Sequence, residues 1–132
     1  MEDIIEELSK LRFPFATKVY MPPRKINISA FKPNMPALLQ LHAEYCHIKQ
    51  VELDPNFFKQ LMYINFDNNE IEERYYIDRL TRIKSLEKIS IRENPIQNTQ
   101  EIYKLQKDLK QRKIRLIFSV ERMYPAKIED ES

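Results

Sequence analysis

The chain has no glycine and no tryptophan among its 132 residues, and a single cysteine. About 7% glycine is usual in a globular protein. Turns that need a positive φ must therefore be made by Asn, Asp or another residue with a Cβ, and close approach of backbone to a phosphate becomes hard. This excludes the P-loop and the dinucleotide-binding fingerprint, both built on glycines. The lone Cys46 rules out an internal disulfide framework and suits a reducing compartment. No stretch approaches 18 consecutive apolar residues, so no membrane span is expected. The opening MEDIIEEL lacks both the basic n-region of a secretory signal and the arginines of a mitochondrial presequence. These absences predict a soluble intracellular protein of the cytoplasm, the nucleus or an organelle such as the mitochondrion, entered without a cleaved presequence.

Acid is missing locally as well. Residues 12–36, RFPFATKVYMPPRKINISAFKPNMP, carry five Lys or Arg, five prolines and four aromatics without one Asp or Glu. The prolines forbid a regular helix, while Phe13/Phe15 and Ile26/Ile28 alternate as extended chain does. So much apolar surface fits a free tail badly. The segment reads as an extended basic arm that covers either its own core or another molecule.

What is present is charge and aliphatic mass. At 42% apolar and 32% charged, the chain is too hydrophobic for disorder, and its length suits one core. The formal net charge of +2 is too small for bulk attraction to nucleic acid or anionic lipid, so any such binding must come from clusters. Two exist: the arm, and residues 104–115, where six bases face Asp108 alone. Both chain ends are acidic.

Apolar spacing predicts helices over 2–11, over 36–49 (Leu38, Leu41, Tyr45, Ile48), from the Asp54-Pro55 cap to about 64, over 69–90, and from the Asn98/Glu101 capping box onward. Residues 113–121, KIRLIFSVE, also alternate like a strand. With no turn signal before them and no evident partner strand, they read as one long helix to about Tyr124, ended by Pro125. No internal repeat is seen. The expected fold is mainly α: a small bundle of four to five helices over 37–124, preceded by a short amphipathic helix (1–11) and the extended proline-containing basic arm (12–36), and followed by an acidic tail (125–132).

No chemistry-bearing constellation stands out. His42 and Cys46, with Glu44 and His47 beside them, offer at most two ligands on one helical face, short of a metal site. Glu70, Glu72 and Glu73 lie among bases, as on a solvated face. The expectation is no enzyme, cofactor, metal or small-molecule substrate, but a non-catalytic interaction subunit of a larger assembly. Its partner-binding residues would be Phe13, Phe15, Tyr20, Arg24, Lys25 and Phe31 of the arm, with Tyr75, Arg79 and Arg82 on a helix whose apolar residues drift round more than one face. The alternative is an RNA-contacting protein of a ribonucleoprotein particle, using Arg12, Lys18 and Lys32 with Lys104, Lys107, Lys110, Arg112, Lys113 and Arg115. A weaker alternative comes from YIDRLTRIK, residues 76–84, which resembles the Arg-rich helix of a small matrix-side subunit of the cytochrome bc1 complex. That family's alanine-containing continuation is absent where Ser85 and Leu86 stand, and the resemblance assigns no residue roles.

Overall fold

The computed structural model describes residues 3–121 and 127–131, with side chains over residues 3–119. The expected helical bundle is not what forms. The chain is an α/β fold built on one sheet whose strands β1 (Lys18–Tyr20), β2 (Gln40–His42), β3 (Tyr63–Asn65), β4 (Lys88–Ser90) and β5 (Arg115–Glu121) are parallel and ordered as in sequence. The last strand, β6 (Lys127–Glu131), pairs antiparallel with β5. Among the described residues three α-helices accompany them: α1 (Ile4–Lys10), α2 (Arg74–Leu80) and α3 (Glu101–Gln111). Short 3-10 turns at Ile28–Ala30, Pro55–Phe57 and Pro95–Asn98 complete the return segments.

Parallel strands in sequence order mean that the chain coils, each circuit laying one strand beside the last. Val19, Leu41, Ile64, Ile89 and Leu116 stand in register, so successive strands lie 22, 23, 25 and 27 residues apart. Three circuits share a pattern: LLQLHAEYCHI (38–48), LMYINFDNNEI (61–71) and LEKISIRENPI (86–96). With conservative replacements, each follows the spacing L-x-x-L-x-L-x-x-N/C-x-L, in which one short strand is laid down per repeat of a solenoid. The internal repeat not seen in the sequence is therefore the organising feature of the fold. The drift round several faces over 69–90 is explained too, because the segment is α2 followed by strand β4.

The expected 36–49 helix is not formed, and the burial of three residues shows why. Leu38, Leu41 and Ile48 suit either reading, but Ala43 and Cys46 are buried and Tyr45 is exposed, as the coil requires and a helix does not. The Asp54 carboxylate does accept from Asn56 N at 3.0 Å, yet it caps only a three-residue 3-10 turn, and β3 follows. The expected capping box is not made: α3 starts at Glu101, and its N-cap Gln100 makes no side-chain bond. Residues 115–121 are strand, not helix. The expected helix end at Tyr124–Pro125 lies outside the described residues.

The basic arm is the first circuit of the coil. Val19, Met21, Ile26, Ile28, Phe31 and Met35 belong to the single buried cluster that also holds Leu41, Ile64, Ile89 and Leu116. The arm thus covers its own core. α1, capped by Asp3 accepting from Ile5 N at 3.0 Å, packs Ile4, Ile5 and Leu8 against the same cluster.

Buried amides hold adjacent circuits together. Asn69 Oδ1 accepts from Cys46 N at 2.9 Å and Ile48 N at 3.0 Å, while its Nδ2 donates to the carbonyls of Ala43, Phe66 and Asp67. Asn94 does the same one circuit on, accepting from Ile71 N and donating to Phe66, Ile91 and Arg92. Gln97 Oε1 accepts from Glu93 N and Ser119 N, carrying the ladder to β5. Buried polar groups of this kind must be satisfied, and here one side chain satisfies two circuits at once.

Candidate interaction face

Strand periodicity sends the central residue of each strand into the core and its two neighbours to the opposite face. That face carries Lys18 and Tyr20 from β1, Gln40 and His42 from β2, Tyr63 and Asn65 from β3, Lys88 and Ser90 from β4, and Arg115 and Ile117 from β5. The Tyr20 and His42 rings stack at 4.3 Å with 12° between planes, and His42 meets Tyr63 edge-on at 5.2 Å. Lys88 Nζ sits 4.6 Å over the Tyr63 ring. The result is a row of three rings across three strands, with an ammonium group fixed at its end. Toward β5 the face closes, since Ser90 and Ile117 are buried.

Charge divides along the strand direction. Lys18, Lys88 and Arg115 occupy the entrance to the strands. The carboxylates Glu44 and Asp67 lie past their exits and are engaged within the protein. Glu44 accepts from Asn65 Nδ2 at 3.0 Å. Asp67 accepts from Ser90 Oγ at 2.6 Å and Arg92 N at 2.8 Å, with Arg92 Nη1 3.6 Å away. Burial raises the Asp67 carboxyl above its ordinary value, against the opposing hydrogen bonds from Ser90 and Arg92 N and the nearby Arg92 charge. Burial likewise lowers the His42 imidazole, with Lys18 acting in the same sense and Glu44 opposing it. His42 is therefore biased toward its neutral form, and its Nε2 lies 3.0 Å from Gln40 Oε1. Burial, and then the Asp67 charge, raises the Tyr63 phenol.

A hollow of about 510 Å³ opens on the entrance side of the face, lined by Leu39, Gln40, Met62, Tyr63, Glu87, Lys88 and Arg115. A larger hollow of about 580 Å³ lies between the return segments near Lys32, Met35, Phe57 and Lys59. Among the described residues no cluster of three His, Cys, Asp or Glu side chains could hold a metal ion, and no helix is long and apolar enough to cross a membrane. His42 is on the sheet face whereas Cys46 is buried, so the pair does not converge.

The residues singled out from sequence are dispersed. Lys18 and Tyr20 reach the face together, and Arg115 lies four strands away on it. Phe31 is 0% exposed and is a core residue, unable to touch a partner. Phe13 is half-buried against the core, whereas Phe15 is 89% exposed in the turn before β1. Arg12, Arg24, Lys25 and Lys32 are exposed around the first circuit. Tyr75, Arg79 and Arg82 lie on or just after α2. There Tyr75 Oη donates to Glu52 at 3.1 Å, and Arg79 lies 3.3 Å from the same carboxylate. Lys104, Lys107 and Lys110 are exposed on α3; Arg112 donates to Thr81 Oγ1, and Lys113 takes a left-handed backbone (φ 63°). Sequence reasoning missed Gln40, His42, Tyr63 and Lys88. The available signal was their position either side of a repeated buried aliphatic.

No family model, curated protein or solved structure matches the chain.

Proposed function

We propose that the protein is a non-catalytic interaction subunit of a larger assembly, docking through the open face of its sheet. The observation that carries this reading is the Tyr20–His42–Tyr63 row, three half-exposed or exposed rings held in fixed mutual geometry on a stiff repeat framework. Aromatic anchors on a rigid support lose little entropy on binding and dominate interface energetics. Solenoids use their extended faces in this way. The buried polar groups Asn69, Asn94, Gln97 and Asp67 are all committed to structural hydrogen bonds, which leaves the face itself as the accessible chemistry.

Protein docking is favoured over base stacking by ring geometry. A base needs an open aromatic face. Here His42 covers one face of Tyr20 and Lys88 one face of Tyr63, so fewer ring faces are open to a base. The test is native-gel sedimentation of tagged chain from source cells. Wild type should migrate well above its 16.0 kDa, and the triple variant Tyr20→Ala, His42→Ala, Tyr63→Ala should return to monomer while keeping its circular dichroism spectrum. A wild-type monomer, or a variant that stays in the assembly, would overturn the reading. Ribonuclease-sensitive migration would favour RNA instead.

A further inference from the structure

We infer that the occupant of this face is an acidic protein segment, an extended stretch with one apolar anchor flanked by Asp or Glu, laid across the strand entrances. The inference rests on the docking role proposed above and adds the chemistry of the partner.

Three observations support it. First, the cations and anions of the face are treated differently: Glu44 is bonded by Asn65, and Asp67 by Ser90 and Arg92, whereas Lys18 and Lys88 have no ion-pair partner among the described residues. A docked acid would meet the Lys18 and Lys88 ammonium groups at the entrances, where Lys88 and Arg115 outnumber Glu87 in the lining of the hollow, and carboxylates already engaged at the exits. Second, the Lys88 ammonium is held over the Tyr63 ring at 4.6 Å, so its side chain is ordered before any partner arrives. Ordering a free lysine on binding costs side-chain entropy, so a pre-placed cation favours a carboxylate ligand. Third, the hollow of about 510 Å³ beside it has Leu39 and Met62 as apolar lining. That combination fits an apolar side chain with a carboxylate next to it in sequence. Lys18 and Lys88 stand three strands apart, roughly 14 Å at the usual strand spacing. An extended segment of about four or five residues covers that span.

The experiment places a photoreactive benzoylphenylalanine at Met62, an exposed residue lining the hollow, in the chain expressed in source cells, and reads the sequence of the cross-linked peptide by mass spectrometry. The expected adduct is a peptide with at least three Asp or Glu within ten residues. Adding Lys18→Glu and Lys88→Glu should reduce its yield at least tenfold, with an unchanged thermal midpoint showing that the fold is intact. A neutral or basic peptide, or an acidic peptide whose yield ignores the charge reversal, overturns the acidic occupant but leaves the docking face standing. A nucleotide adduct, or no adduct while the triple aromatic variant also leaves migration unchanged, overturns both. No adduct with migration lost in that variant overturns this inference alone.

Discussion

Asn69→Ala should be among the most damaging single changes in the protein, although it removes only one small amide. The side chain makes five hydrogen bonds, all within 3.2 Å, to groups of two circuits. Truncation leaves the buried N–H groups of Cys46 and Ile48 without their acceptor, in a site with little room for water. Each orphaned donor costs about 1–3 kcal/mol. The three carbonyls lose a donor as well, at smaller cost because each keeps a second lone pair's worth of options. The expected loss is about 3–5 kcal/mol, a large share of the roughly 5–15 kcal/mol that holds a domain of this size. In urea, with a slope of about 2 kcal/mol per molar, the midpoint should fall by roughly 2 M at unchanged slope. Asn69→Cys, copying the residue that stands one circuit earlier at Cys46, should cost less, because the sulfur is a weak acceptor for the orphaned N–H groups and the thiol a weak donor to a carbonyl, as Cys46 Sγ is toward Glu44 O at 3.2 Å. Glu70→Ala, next door but exposed and paired only with His47 at the surface, should change stability by less than about 0.5 kcal/mol. A loss below about 1 kcal/mol for Asn69→Ala would refute the bridging role of the amide.

Lys113→Gly should stabilise the protein by about 0.5–1 kcal/mol, because Lys113 has φ 63° at the end of α3, where Lys113 N bonds Lys110 O and Ile114 N bonds Leu109 O, the pattern that favours glycine; an unchanged or lower urea midpoint would count against it. Arg74 bridges α2 and α3 through Asp78 (2.9 Å) and Asp108 (3.0 Å), contacts that raise the guanidinium further above its already high value. Arg74→Met should cost about 1 kcal/mol after allowance for solvent screening, with the difference shrinking in 1 M salt; a salt-independent difference would show packing to be the cause. Asp67 titrates above 3.8 in the folded chain, so its contribution is present at low pH and lost as pH rises through the raised folded value. Asp67→Asn keeps an oxygen for Ser90 and Arg92 N, and its stability relative to wild type should therefore improve as pH rises from the ordinary carboxyl range through the raised folded value; a relative decline over that rise would refute the sign.

The sequence showed the ingredients of the fold without its period. Helix α1 was legible because Ile4 and Leu8 sit one turn apart behind an acidic first turn, and nothing tertiary contradicts that. The second helix was misread because Leu38, Leu41 and Ile48 satisfy a helical stripe and a solenoid circuit equally. Ala43 and Cys46, buried but small, and the exposed Tyr45 break the tie. Strand β5 alternated correctly over Ile114, Leu116 and Phe118, but a strand needs neighbours, and the three-residue strands β1 to β4 are below the length at which alternation can be seen. Circuits of 22 to 27 residues also stretch steadily along the chain, which hides a repeat from any fixed-period comparison. The face was partly legible: Lys18, Tyr20 and Arg115 were singled out as basic or aromatic residues, but Tyr63 and Lys88 gain their meaning only from register.

The missing glycine fits this architecture in a way that composition alone could not show. Tyr45, Asn68 and Glu93 occupy the same position in three circuits and share a left-handed backbone, with φ of 56°, 58° and 57°. Each immediately precedes a buried ladder residue, Cys46, Asn69 or Asn94, so the left-handed step is what turns the chain inward after the strand. Glycine would make that step freely, whereas a residue with a Cβ costs about 1–2 kcal/mol there. Asn bears it most easily, but Tyr and Glu do not share its local hydrogen-bonding advantage. What the larger residues provide is a side chain where glycine has none, at the rim of the sheet face, and Tyr45 is 58% exposed there beside Tyr20 and His42 in a shared depression. The backbone strain thus lies along the border of the face that carries the proposed docking role. Strain of this kind concentrates at functional positions, because a residue chosen for stability alone would relieve it.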